Sequence, residues 1–245
     1  MMLKAITFDF WGTLVDAHIN QRPERAELLA RYLPGVTPEQ VKAAYAKSWD
    51  DFSKGLDMGL GLTPATIFAG TLDYLGVSLP PPNFQAALHA WEEMMLDHPP
   101  PFLTGALDVL CTLRRQGYLI ALISDTGTSP GRVIRQMLHR AGALTLFDWL
   151  TFSNETGLTK RRPQAFMRTL KALGTAPEQT LHVGDLPETD IHGAHRAGLF
   201  AALVLECSQR RDGIADADLV IEYLYELPER LTNWKPNVVR PRAAE

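Results

Sequence analysis

Short apolar runs that end on polar residues and alternate with helical segments constrain this chain more than any other feature. Residues 3–9 read as a buried strand ending at Asp9, by length, β-branched content and the turn at Gly12 that follows. Runs at 119–123, 181–183 and 201–205 have the same character, and shorter apolar segments lie near 147–152 and at 219–221. Helical segments near 105–116, 130–141 and 163–173, and one through Ala194 and Ala197, separate them. Strands that are apolar on both faces need cover on both faces, which parallel strands joined by helices provide. The expected fold class is α/β, a three-layer core around a mostly parallel sheet.

Between the first strand and the second the period changes to that of amphipathic helices. Leu28, Leu29, Tyr32 and Leu33 open the series, followed by Val41, Tyr45, Trp49 and Phe52. Ile67, Phe68, Leu72 and Leu75 come next, then Phe84, Leu88, Trp91 and Met95. These predict four helices over about 20–97. Thr37-Pro38-Glu39-Gln40 and Thr63-Pro64 place a capping hydroxyl before a proline at the first helical position, and Gln40 can complete a capping box. Pro99-Pro100-Pro101 stiffens the chain where it leaves this block, as a linker or hinge would. The expected organisation is an α/β core from 1–17 and 98–232, a small α-helical domain at 18–97, and a loosely held tail at 233–245.

A formal net charge of -4 and a pI near 6.0 leave no broad basic field for nucleic acid. Cys111 and Cys207 lack metal-ligand spacing and read as free buried thiols, which points to the cytoplasm. No apolar run approaches the roughly 18 residues that span a bilayer, and the chain starts directly on a strand, so neither membrane nor signal peptide is expected. The sequence carries no signal for oligomeric state.

Open parallel sheets bind ligands at the carboxyl ends of their strands. Asp9, Ser124 and Asp185 stand at three such ends, and Lys160 follows the segment near 150. Asp9, Asp185 and Asp190 crowded at one edge repel one another unless a cation lies among them, and oxygen-only ligands suit magnesium.

Taken in order, Asp9-Phe10-Trp11-Gly12-Thr13-Leu14, the strand ending at Ser124, Gly157-Leu158-Thr159-Lys160 with Pro163 and Phe166, and Gly184-Asp185-Leu186-Pro187-Glu188-Thr189-Asp190 resemble the motifs of the haloacid dehalogenase superfamily. Ile191-His192-Gly193-Ala194 and Ala197-Gly198 continue the pattern, and the likeness spans about 3–231. It implies a Rossmann-like core with a helical cap inserted after the first motif, at the place of the helical block. It also implies a hydrolase acting on a small, phosphorylated molecule. Asp9 would attack phosphorus to form an aspartyl phosphate, Ser124 would donate a hydrogen bond, and Lys160 would neutralise charge. Mg2+ would be held by Asp9, Asp185 and the backbone carbonyl of Trp11, with Asp190 a ligand or just behind the ligands. Thr13, Trp11 and Asp125 are candidate substrate contacts.

In that superfamily's phosphatases, a second aspartate serves as general acid and base where this chain has Trp11. Such a group is typically worth ~10² to 10⁴ in rate. Its loss matters least for acidic leaving groups, such as those of aryl or acyl phosphates. Asp125, Glu188 and His18 are candidate substitutes. The superfamily's dehalogenases give a rival reading, since there the aspartate attacks carbon and an aromatic residue is tolerated at this position. They work without metal, whereas Asp185 and Asp190 are kept here, so the phosphatase reading is preferred. A noncatalytic binding or regulatory module is the third reading. His182, His192 and His195 are not read as a metal site, and Arg161 and Arg162 are read as anion-attracting or as a solvated pair. Gly55, Gly59 and Gly61 follow no strand and are expected to form a flexible loop between helices.

Overall fold

A computed structural model describes residues 2–17, 22–208 and 210–234. Strand β1 (Ala5–Phe8) is followed by α1 (Arg22–Tyr32), α2 (Pro38–Asp57), α3 (Pro64–Leu75) and α4 (Pro81–Asp97). Helix α5 (Ala106–Arg115) leads to β2 (Leu119–Ser124), α6 (Gly131–Arg140), β3 (Trp149–Phe152) and α7 (Ser153–Thr156). Then come α8 (Pro163–Leu173), β4 (Thr180–Gly184), α9 (His192–Arg196), β5 (Phe200–Val204), β6 (Leu219–Ile221) and α10 (Leu227–Asn233). All strand pairs are parallel, in the order β3-β2-β1-β4-β5-β6. This is the Rossmann-like α/β arrangement, and its order reverses between β1 and β4, the place where such sheets open a ligand crevice.

Alternation along the strands divides the core in two. Ile6, Phe8, Ile120, Leu122, Leu181 and Val183 face the layer built from α5, α6 and α10, while Ile123, Ala201 and Leu203 pack with Phe166 and Leu170 of α8. Burying that much apolar side chain on both faces supplies the driving force, roughly 25 cal/mol per Å² removed from water. Helices α1–α4 bury a core of their own around Trp91, with Tyr45 and Phe68 edge-on or tilted at ring distances of 5.5 and 5.3 Å. The capping box forms as expected, Gln40 N donating to Thr37 Oγ1 at 3.3 Å and Thr37 N to Gln40 Oε1 at 2.8 Å. At Thr63 the hydroxyl makes no capping bond, and Pro64 alone marks the start of α3.

The two connections between this block and the sheet run side by side. Leu103 N donates to Leu14 O at 2.9 Å, Asp16 N to Pro101 O at 3.0 Å, and Val15 bridges Phe102 antiparallel. The proline segment is thus half of a paired crossing.

Three expectations need correction. Gly55 lies within α2, and Gly61 is pressed against the loop after β3, its N–H donating to Gly157 O at 2.9 Å and Leu60 bridging Leu158. A Cβ at Gly61 would lie 2.6 Å from Leu158 N, so close backbone approach explains that glycine. Residues 233 and 234 are not a loosely held tail: Asn233 ends α10, and Trp234 packs edge-on against Phe200 at 5.4 Å. Residues 235–245 lie outside the described residues, as does His18. Cys111 is exposed on α5, whereas Cys207 is buried as expected. No helix among the described residues is long and apolar enough to cross a membrane.

Candidate active site

Each strand delivers its functional residue by ending. The amide of Asp9 donates to Val183 O at 2.9 Å, so the ladder between β1 and β4 continues one residue past the strand and fixes the aspartate at the switch point. Gly12 has φ +78°, and a Cβ there would lie 2.5 Å from Asp185 Oδ2. Only glycine lets the turn after Asp9 close so tightly over the second acid. Lys160 arrives from the loop after α7, whose Thr126, Ser153 and Asn154 contacts tie it to the segment following β2.

These elements bring Asp9, Asp185 and Asp190 together, all buried, with one carboxylate oxygen of each within 4.8 Å of the others. Lys160 Nζ donates to Asp9 Oδ1 and to Asp190 Oδ1, each at 2.5 Å. Asp190 is further held by His182 Nε2 at 3.0 Å and by the Leu186 amide, which donates to Oδ2 at 2.9 Å. His182 in turn meets Thr7 Oγ1 through Nδ1 at 2.8 Å, which fastens the histidine to β1. Both Asp190 oxygens are therefore engaged by protein donors, while Asp9 and Asp185 keep more open lone pairs.

Electrostatics divide the acids. Burial pushes Asp9 up to about 7, against the pull of Lys160 and with repulsion from Asp190. Burial, with repulsion from Asp9 and Asp190, pushes Asp185 up to about 8. Asp190 goes the other way: burial opposes its charge, yet Lys160 and His182 hold it well below the usual carboxylate range. Lys160 stays charged despite burial because Asp190, Asp9 and Asp125 surround it. Two neighbouring oxygen ligands whose charged forms cost energy without a counter-ion are a donor set that fits a hard divalent cation.

The folded state thus holds protons on Asp9 and Asp185 that the unfolded chain releases near pH 3.8. Folded pKa values above the unfolded ones mean that stability falls as pH rises through about 7 and 8. Below the ordinary histidine value of 6.5, His182, kept neutral by burial, opposes the trend with one proton against the two of Asp9 and Asp185, which makes the fall shallower without reversing it. The expected result without divalent cation is a Tm decrease on the order of 5 °C between about pH 6.5 and 8.5. Saturating magnesium should remove it, and a flat metal-free profile in scanning calorimetry would contradict this account of the acids.

Beside these groups opens a cavity of about 470 Å³, lined from the sheet by Asp9, Trp11, Asp125 and Lys160 and from the helical block by Trp49, Leu56 and Met95. Among the described residues, five carboxylates and three cations line it. Trp11 is half-buried on this wall and packs edge-on against Phe10 at 5.0 Å. Asp125 accepts the Lys160 amide at 3.0 and 3.2 Å, and burial raises its carboxyl to about 6 against the pull of Lys160. Ser124 Oγ is buried without a hydrogen-bond partner, a costly state that an acceptor in the site would relieve.

Some expected site residues are engaged otherwise than expected. Thr13 does not line the cavity; its side chain is fully buried and donates toward Asp185 Oδ1 at 3.4 Å. Glu188 is paired with Arg210 at 2.5 Å and, although partial burial opposes it, held below its ordinary value, so it is a poor proton donor. Arg161 pairs with Asp57 of α2 at 2.5 Å and Arg162 donates to Met58 O at 2.8 Å, so both tie the lysine loop to the helical block. His192 and His195 pair with Asp216 and Asp218. The role of His182 in holding Asp190, the hydroxyl-rich loop of Thr126, Thr128 and Ser129, and the wall residues from α2 and α4 escaped the sequence reading. A polar residue inside an apolar strand and a run of hydroxyls after a strand end are the signals that were there to find.

A family model described as haloacid dehalogenase-like hydrolase matches residues 3–198. Among similar proteins, a phosphoserine phosphatase of Thermus thermophilus is 35% identical over 127 residues, covering 52% of this chain and 50% of that protein. The chain thus spans about half the length of that relative. A glyceraldehyde 3-phosphate phosphatase of Methanopyrus kandleri is 25% identical over 201 residues, covering 81% of this chain and 82% of that protein. Among solved structures, L-2-haloacid dehalogenase of Xanthobacter autotrophicus with chloropropionic acid covalently bound has a TM-score of 0.64 at 18% identity, covering 96% of this chain and 100% of that one. The last likeness concerns the fold alone.

Proposed function

The chain belongs to the haloacid dehalogenase-like hydrolases, and from that premise we propose that it is a magnesium-dependent phosphatase of a small phosphorylated molecule, with Asp9 as nucleophile. The observation that carries this reading is the meeting of Asp9, Asp185 and Lys160 beside a buried Ser124 hydroxyl that lacks a partner. The phosphatase names of its relatives support it.

Asp9, Asp185 and the Trp11 carbonyl would hold Mg2+, which when bound supplies positive charge beside the phosphoryl oxygens. Asp190 serves this site from behind, because its oxygens are taken by Lys160, His182 and the Leu186 amide. Asp9 attacks phosphorus, the bond to the leaving oxygen breaks, and Ser124 and Lys160 hydrogen-bond the transferring group. Asp125 is the proton carrier in this reading. It lines the cavity, and burial gives its carboxyl a pKa of about 6. As an acid it protonates the leaving oxygen; as a carboxylate it takes a proton from the water that cleaves the aspartyl phosphate. Residues 18–97 act as a cap, since α2 and α4 supply part of the wall of the cavity that Asp9 lines.

Trp11 on the cavity wall favours one other reading, attack of Asp9 on carbon with loss of halide. Both are tested by one panel, in which phosphate release from aryl, acyl and alkyl phosphates is assayed beside halide release from 2-haloacids, with magnesium and with chelator. Phosphate release that chelator stops is the expected result. Halide release that survives chelator, with no phosphate release, would replace the phosphatase by a dehalogenase.

A further inference from the structure

The wall opposite Asp9 is unusual in what it pairs and what it leaves apolar. Trp49 of α2 lies directly on the loop that follows Ser124: a Cβ at Gly127 would come within 2.8 Å of Trp49 Cη2. Trp11 lines the same cavity from the sheet side, and Leu56, Met95 and Leu186 add apolar surface to its lining. Aromatic rings on two walls favour a flat apolar guest, which gains from stacking and from leaving water.

The charges point the same way. Beyond Lys160, which is committed to Asp9 and Asp190, the cations on the wall among the described residues are Arg161 and Arg210. Arg161 is paired with Asp57, and Arg210 with Glu188 and Asp212. To gain a cation, a substrate bearing a carboxylate besides its phosphate would have to break one of these pairs. It would also meet a wall on which carboxylates outnumber cations.

Resting on the phosphatase reading above, we infer that this cavity selects phosphomonoesters whose leaving group is an uncharged aromatic body, held between Trp11 and Trp49, and discriminates against leaving groups that carry a second anionic charge. The selection coincides with the chemistry of the site, because an aryloxide leaves with less help from a general acid than an alkoxide does.

Binding to the intact chain in magnesium tests this without turnover, by calorimetry with three probes: inorganic phosphate, phenylphosphonate and phosphonoacetate. Phenylphosphonate is expected to bind about tenfold more tightly than phosphonoacetate and to quench tryptophan fluorescence. Trp49→Leu should lose most of that preference while leaving inorganic phosphate binding in place. Because Trp49 also stacks on Phe52, a surface variant guards against misfolding. Asp57, whose side chain is 66% exposed, becomes Asn, which frees Arg161 and should tighten phosphonoacetate several-fold. Equal affinities for the two phosphonates, or tighter phosphonoacetate in the unaltered chain, overturns the inference while inorganic phosphate binding leaves the phosphatase reading standing. If no probe binds, including inorganic phosphate, both fall together.

Discussion

Asp9→Asn is expected to abolish turnover of every ester the protein hydrolyses, by on the order of 10⁴-fold or more, because the amide cannot form the covalent phosphoryl intermediate. Substrate affinity should change far less, since Lys160, Ser124 and the apolar wall remain. The effect on the fold is expected to run the opposite way. Asp9 is a buried acid whose charge is opposed first by burial and then by Asp190, so a neutral isostere should leave the metal-free Tm unchanged or raise it. Steady-state kinetics and a thermal melt on the same sample check both halves. Activity that survives in the variant would remove Asp9 from the chemistry, and a wild-type turnover lost in the variant would exclude a noncatalytic module.

Lys160→Met should be the most damaging single change to stability. The ammonium is 3% exposed and joins Asp9 and Asp190, whose side chains are 5% and 0% exposed. Removing it leaves two carboxylates in the interior without their cation. Breaking a buried pair in this way costs about 3 to 5 kcal/mol, or a Tm lower by about 10 °C. The double variant Asp9→Asn, Lys160→Met should recover a large part of that loss, because Asp190 keeps His182 and the Leu186 amide. Denaturant melts of the wild type, both single variants and the double variant close the cycle. Additive losses would mean that lysine and aspartate do not act as one unit.

The fold was legible where burial dictates sequence. The strands at β1, β2, β4 and β5 are short apolar runs that no exposed segment would carry, and their polar terminal residues mark the carboxyl edge of the sheet. Helix α8 was readable to its ends because Pro163 opens it and Gly174 closes it. Helix α10 was not, since only Leu227 and Leu231 are buried and two apolar positions make no period. The acids and Lys160 were readable because their types and order repeat a known set of motifs. The division of labour among them was not. Nothing in Thr13 says that its side chain is buried against Asp185 rather than facing substrate, and nothing in Asp190 says that three donors already hold it. The first depends on a contact between residues more than a hundred positions apart, Thr13 and Asp185, and the second on how the π-turn after β4 folds back toward His182 and on where the lysine loop lands. The glycines after α2 misled for the same reason: flexibility and close approach use the same residue, and only the neighbour at Gly157 distinguishes them.

The paired crossing of Leu14–Asp16 with Pro101–Leu103 has a topological consequence. The backbone leaves the sheet at one point, makes its helical excursion, and returns to within one hydrogen bond of where it left, Asp16 N to Pro101 O at 3.0 Å. To the sheet, the whole excursion is a loop of zero span. The closure entropy of such a loop grows only slowly with its length, so the excursion can lengthen, shorten or be exchanged for another with little penalty to the strands beneath. The parallel core and the wall that faces it can therefore vary as separable pieces of one chain, the first keeping the reaction and the second free to change what is admitted to it.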